Sequence, residues 1–197
     1  MTAATEHFLR RGYVGANVDE IAAEAQVSKR TIYNVIGGKE QLFREMLADA
    51  LASAERFSQE VSSALGATDD AESELREVAT RLAGAVLGGP IVRLRRLLIG
   101  EAERFPDLAK DYYARAPSRV MATVAEGLRR FHERGLLHVD DCELAAEHFA
   151  FLVMGASLDR ALFETSTPPP AAADVEARAR AGADAFLRAY RSAPRGT

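Results

Sequence analysis

The chain has 197 residues, 48% of them hydrophobic and 27% charged, and carries a net charge of −4. That length fits one large domain or a small domain plus a larger one, and the apolar content is that of an ordinary globular protein. No apolar run approaches the ~20 residues of a membrane span, no basic-then-apolar leader opens the chain, and the lone Cys142 leaves no partner for an internal disulfide, all of which fits a reducing cytoplasm. A net negative chain is not a generally basic nucleic-acid binder, so any such affinity must come from a local patch.

Thr2 to Arg11 reads as a helix with Ala4, Phe8 and Leu9 facing inward, ended by Gly12. Asn17 precedes Val18-Asp19-Glu20 as an N-cap, with Glu20 placed to close a capping box. Ile21, Ala22 and Ala25 follow as a small apolar face, and the pattern stops at Gln26-Val27. Ser28 then caps a second short helix through Ile36, in which Ile32, Val35 and Ile36 share one face. Gly37-Gly38 ends it, because glycine accepts the left-handed conformation a C-cap needs. Two short capped helices joined by a small turn form a helix-turn-helix plan, whose second helix projects polar side chains into a DNA major groove. From Ser28 to Lys39 the charged residues are Lys29, Arg30 and Lys39, with no acid between them. A capped helix pair with three basic residues is also a common feature of soluble proteins, and periodicity alone leaves both readings open.

Lys39 to about Leu65 reads as one long helix, with Leu42, Phe43, Met46, Leu47, Ala50, Leu51, Ala54 and Phe57 at helical spacing. Helices are expected over Ala71–Leu87, Ile91–Arg104, from Pro106, from Pro117 to a Gly135 cap, over Asp140–Phe163 and over Ala171–Tyr190. Pro90, Pro106 and Pro117 sit at helix starts, where proline's missing N–H costs nothing. Arg93, Arg95 and Arg96 face outward, with Glu101 and Glu103 available as partners. Ala177, Ala181, Gly182 and Ala185 permit close helix approach. Thr165–Pro170 reads as a stiff linker and Ser192–Thr197 as a frayed tail. The expected fold is all-α: a three-helix helix-turn-helix domain at residues 1–46 and a larger helix bundle at 47–197, about nine helices in all.

Gly12-Tyr13, Val18-Asp19-Glu20-Ile21-Ala22, Val27-Ser28-Lys29, Thr31-Ile32-Tyr33, Gly38-Lys39-Glu40 and Leu42-Phe43 together resemble the DNA-binding domain of the TetR (tetracycline-repressor-like) family. The likeness runs from about Ala3 to Leu47. Ile99 to Leu108, Tyr112-Tyr113, Gly135-Leu136-Leu137, Asp141 and Ala145 to Phe149 resemble the C-terminal domain of the AefR-like subgroup. The chain departs from the family's usual pattern at Ala16-Asn17, Gln26 (in place of a turn glycine), Arg30, Val35-Ile36 and Gly38. Its first helix begins a turn or two later than is usual, so a truncated first helix is expected.

The resemblance implies a homodimeric transcriptional repressor, paired through its last two helices and released from double-stranded operator DNA by a small, largely apolar effector. Lys29, Arg30, Thr31 and Asn34 are the candidate base readers, Asn17, Tyr33 and Lys39 are candidates for phosphate contact, and Ser28 is a further DNA-binding candidate at a helix N-terminus that favours a phosphate. A candidate effector region comprises Phe57, Leu82, Val86, Leu98, Glu101, Tyr112, Tyr113, Met121, Val124, Phe149 and Leu152, held as a region because plain core packing is the commoner role of any single aromatic or Met among them. A dimer that binds DNA or protein without any effector stays open as the alternative. No phosphate loop, Cys/His metal spacing or nucleophile motif occurs, so no enzyme, cofactor or metal is expected.

Overall fold

A computed structural model of the chain describes residues 1–165 and 169–191. Residues 166–168 of the expected Thr165–Pro170 linker and the expected Ser192–Thr197 tail lie outside the described residues. The described chain is helical, with one isolated backbone bridge between Leu137 and Arg191. Its helices are α1 (Thr2–Gly15), α2 (Val18–Glu24), α3 (Lys29–Val35), α4 (Lys39–Ala64), α5 (Ala71–Leu87), α6 (Ile91–Gly100), α7 (Pro106–Arg115), α8 (Pro117–Glu133), α9 (Cys142–Ala150), α10 (Ala156–Phe163) and α11 (Ala172–Tyr190). A π-helical segment, Phe151–Gly155, joins α9 to α10.

Most boundaries follow the punctuation in the sequence. Pro106 opens α7, Pro117 opens α8, and Asp141 caps α9 by accepting from the Leu144 N–H at 2.9 Å. Two boundaries differ. Gly12 (φ 72°, ψ 176°) kinks α1, which then makes one more turn to Gly15. The helix expected over Ile91–Arg104 stops at Gly100. Beyond it the Glu101 carbonyl accepts from both Arg104 N (3.0 Å) and Phe105 N (2.9 Å). Phe105 precedes a proline, whose ring disfavours helical backbone at the residue before it.

The described structure divides into two compact units. The first comprises Met1–Glu55 and Arg93–Ala116. Its core joins Phe8, Ile21, Ile32, Leu42, Phe43 and Met46 to Leu94, Leu98, Phe105 and Tyr112. The sequence boundary after residue 46 assigned these last four to the larger bundle; their apolar contacts lie instead with α1–α4. Aromatic packing seals this join: Tyr13 meets Phe105 edge-on at 4.7 Å and Phe43 at 5.2 Å, and Phe8 meets Phe43 at 5.2 Å. Each such pair adds about 0.5–1.5 kcal/mol beyond the area it buries.

The second unit comprises Arg56–Val92 and the described residues from Pro117 onward. Val61, Leu65, Leu75, Val78, Leu82, Val124, Leu128, Phe131, Phe149 and Phe186 form its core. The loop after α4 is held by the buried Glu74, whose carboxylate accepts from the backbone N–H groups of Gly66 and Thr68, each at 2.6 Å. A Cβ on Gly182 would stand 2.3 Å from the Leu152 carbonyl oxygen, so glycine there lets α11 lie directly on the π-helical backbone. Of the small residues expected to permit close approach, Gly182 does so, while Ala177 and Ala181 face outward. α4 contributes residues to both units.

Candidate nucleic-acid interface

Asn17 caps α2 by accepting from the Asp19 N–H at 2.8 Å. The expected capping box is not closed. Glu20 turns away to ion-pair with Arg11, and the same carboxylate lies 3.8 Å from Nδ1 of the buried His7. His7 Nε2 lies 2.8 Å from Glu24. His7 and Arg11 are one turn apart on α1, and Glu20 and Glu24 one turn apart on α2, so two complementary i,i+4 pairs tie the helices together. That complementarity is written in the sequence and was available as a signal.

The turn between α2 and α3 contains Gln26 at φ 57°, the only non-glycine residue with positive φ among those described. This is the position where the resembling family has glycine. Past it, Ser28 Oγ accepts from the Thr31 N–H at 3.0 Å and starts α3. Ile32 is the one buried residue of α3, with Ile36 half-buried beneath its end. Val35, expected on the same inward face, is 76% exposed. It is the last residue of a two-turn helix and points past the edge of the supporting core. Ala25, expected inside on α2, is likewise exposed at that helix's C-cap.

Lys29, Arg30, Thr31, Tyr33 and Asn34 are all exposed. They are not equally free. Lys29 Nζ pairs with Asp19 at 3.0 Å, and that hydrogen bond raises its pKa above the usual lysine value. The hydroxyls of Thr31 and Ser28 are 2.7 Å apart. The Tyr33 ring lies across Gly38, where a Cβ would come within 3.1 Å of it, so the left-handed Gly38 (φ 116°) also makes room for the ring. The side chains of Arg30 and Asn34 have no hydrogen-bond or ion-pair partner among the described residues, and Arg30 is the unneutralised cation on the exposed side of α3.

Lys39 is placed differently. Its ammonium donates to the Val14 carbonyl at 3.0 Å and sits 4.9 Å over the Tyr13 ring, with the Arg104 guanidinium 5.8 Å from the same ring. Burial lowers the Lys39 pKa, and burial followed by the Glu40 carboxylate raises that of Tyr13. Seven of the eight candidate contact residues thus belong to the Asn17–Asn34 segment, and the eighth is folded back against α1.

The eleven effector candidates fall in both units. Leu82, Val86, Val124 and Phe149 are buried in the second unit's core, with Phe57 and Met121 packed against it. Leu98 and Tyr112 belong to the first unit's core, and Glu101 pairs with Arg104 at 3.2 Å. Tyr113 and Leu152 are exposed. Two surface clefts along α5, one with Arg76, Thr80 and Arg180 and the other with Leu137, Leu187 and Arg191, are lined by none of them.

Residues 1–46 match the family described as "Bacterial regulatory proteins, tetR family", and residues 73–192 match "AefR-like transcriptional repressor, C-terminal domain". A crystal structure of a putative TetR-family transcriptional regulator from Mesorhizobium loti MAFF303099 is 31% identical and superposes with a TM-score of 0.86, covering 96% of this chain and 94% of that one. The "Flavonoid-responsive Regulator FrrA" is 26% identical with a TM-score of 0.63, over 99% of this chain and 95% of that one. The HTH-type transcriptional repressor SCO4008 of Streptomyces coelicolor is 47% identical over 45 residues, which is 23% of this chain and 23% of that repressor. These relatives are regulators, not enzymes.

Proposed function

The chain belongs to the TetR family of bacterial transcriptional regulators, with an AefR-like C-terminal domain, and from that membership we propose that it is a homodimeric repressor released from its operator by a small ligand. The observation that carries the DNA-binding reading is the exposed side of α3, where Arg30 and Asn34 stand free beside the Ser28 cap. Arginine pairs bidentately with guanine and asparagine with adenine, so both suit base readout. Asn17, Ser28, Tyr33 and Lys39 serve the phosphates. Lys39 has three N–H donors and Val14 takes one.

Dimerisation is supported by four large apolar side chains left at the surface of α9, the π-helical segment and α10: Leu144, Phe151, Leu152 and Phe163. Phe151 and Phe163 are 76% and 81% exposed, an arrangement a second copy would cover. Effector control is supported by the similarity to a flavonoid-responsive regulator. An effector can act only by binding the DNA-incompetent state better, with a coupling of ~1–3 kcal/mol. A repressor without an effector is the second reading, favoured by the closed packing at Val124 and Phe149, both fully buried. Ligand-induced shifts in melting temperature separate the two.

The test is a salt titration of binding to the DNA upstream of the protein's own coding region, against random DNA of equal length. Tight, selective binding that weakens steeply with salt is expected. Weak and equal binding to both fragments at every salt concentration, and to a genomic fragment library, would remove the DNA-binding reading.

A further inference from the structure

Arg93, Arg95 and Arg96 lie on α6 within ten residues of Glu101 and Glu103, which suggested local pairing. The structure gives that pairing to none of them. Arg93 reaches Glu6 of α1 at 3.7 Å, and Glu101 is taken by Arg104. Arg95 and Arg96 are half-buried, the Nε of each is shut off from solvent without an acceptor, and neither forms an ion pair with a described residue. The other half-buried arginines each find an acceptor: Arg44 on Asp107, Arg76 on Asp184, Arg81 on Glu60, Arg129 on Glu143 and Arg130 on the Leu65 carbonyl. A guanidinium partly withdrawn from water with no counter-charge is unfavourable. The planar donor fork of arginine matches a carboxylate, which would give either group the acceptor it lacks. Ile99, one turn beyond Arg95, is 65% exposed and supplies an apolar surface next to the charges.

We propose that Arg95 and Arg96 form an anion-recognition element on α6, which takes the carboxylate of a small apolar acid while Ile99 meets its hydrocarbon part. This deepens the effector reading above and rests on it for the link to DNA release. It predicts a protein that is stabilised by acids and indifferent to their uncharged counterparts.

The experiment uses the full chain at fixed ionic strength. Benzoate and octanoate are compared with benzamide and octanamide, and with inorganic phosphate as an anion lacking an apolar part. The wild type is set beside Arg95→Met with Arg96→Met, and beside Arg95→Lys with Arg96→Lys. The wild type is expected to gain about 2–4 °C in melting temperature with the carboxylates, saturably, and nothing with the amides. The double Met variant, freed of two uncompensated charges, melts no lower than the wild type without ligand and binds the carboxylates at least roughly tenfold more weakly. The Lys variant keeps the charge and falls between. If the Met variant does not fold, the Lys variant and Arg96→Met alone carry the same comparison.

An equal carboxylate shift in wild type and Met variant overturns the proposal, as does no saturable shift with any of the probes. A shift with phosphate as large as with the acids overturns the apolar part of it. Operator affinity measured in parallel separates the two readings. Carboxylate binding that depends on both arginines but leaves operator affinity unchanged keeps the anion site and removes the effector role. Operator release by an amide, equal in both proteins, does the reverse.

Discussion

Gln26 adopts φ 57° in the turn between α2 and α3, a conformation that costs a residue with a Cβ about 1–2 kcal/mol. Glycine avoids that cost but brings about 0.4–1 kcal/mol of extra unfolded-state entropy. The difference favours glycine. Gln26→Gly is therefore expected to stabilise the protein by about 0.5–1 kcal/mol, read as a higher urea midpoint with an unchanged slope, and a lower midpoint would show that the Gln26 side chain holds the turn by contacts that outweigh its strain. Arg30 and Lys39 are expected to divide the work of DNA binding. Arg30, exposed and unpaired, is expected to act on base edges, so Arg30→Ala should cost about 1–3 kcal/mol at particular base pairs and relax preference there. Lys39 lies off α3 and anchors on Val14, so Lys39→Ala should weaken all sequences alike and reduce the salt slope by about one. Filter binding on operator and random DNA across a salt series distinguishes them; matching losses on both fragments for both variants would abolish the division.

Helix contacts test the same logic one level up. A glycine in a helix interior normally gains about 0.5–1 kcal/mol when changed to alanine. Gly84 of α5 is exposed with open space where a Cβ would go, so Gly84→Ala should show that gain. Gly182 of α11 should reverse the sign. Its Cβ would fall 2.3 Å from the Leu152 carbonyl oxygen, and backbone cannot step aside as a flexible side chain can, so Gly182→Ala should destabilise by about 1–3 kcal/mol. Thermal unfolding of the pair reads both; a gain at Gly182 would mean that α11 and the π-helical segment do not pack as closely as described. What was legible in the sequence follows the same division between local and distant causes. The caps at Asn17 and Ser28 and the proline starts at Pro106 and Pro117 depend on residues within a few positions, and they stand where the pattern put them. The allegiance of Leu94, Leu98 and Tyr112 depends on which surface α6 and α7 meet, and helical periodicity is silent on that. The same silence extends to the effector candidates, which fall in both units, since an inward face reads alike whether it lines a cavity or fills a core. Val35 failed for the complementary reason: two turns of helix outrun the small core beneath them.

At the scale of the whole molecule, the π-helical segment accounts for the surface a second copy would use. Leu144 and Phe163 are nineteen residues apart, and nineteen steps of about 100° would leave them about 100° out of phase. The wider turn at Phe151–Gly155 absorbs about one residue, and the remaining eighteen steps are about five full turns. By this count Phe163 returns to the side of Leu144 and Phe151, and the three exposed side chains are expected to form an apolar stripe along one face. A stripe of this kind, unpartnered in one chain, suits a two-fold contact in which each copy covers the other. Phe151→Glu combined with Phe163→Glu places like charges across such a contact without touching the core, since both side chains are exposed in the single chain. The variant is expected to keep its helical circular dichroism and to sediment as a monomer where the wild type sediments as a dimer. The loss should reach DNA as well. Two linked reading heads bind a palindromic operator with the second contact effectively intramolecular, an advantage of about 10²–10⁴ that a monomer forfeits. Binding to an isolated half-site, which needs one head, should change little. A variant that remains dimeric would place the interface elsewhere on the chain, and a monomer that kept full operator affinity would mean that the operator is read by one copy alone.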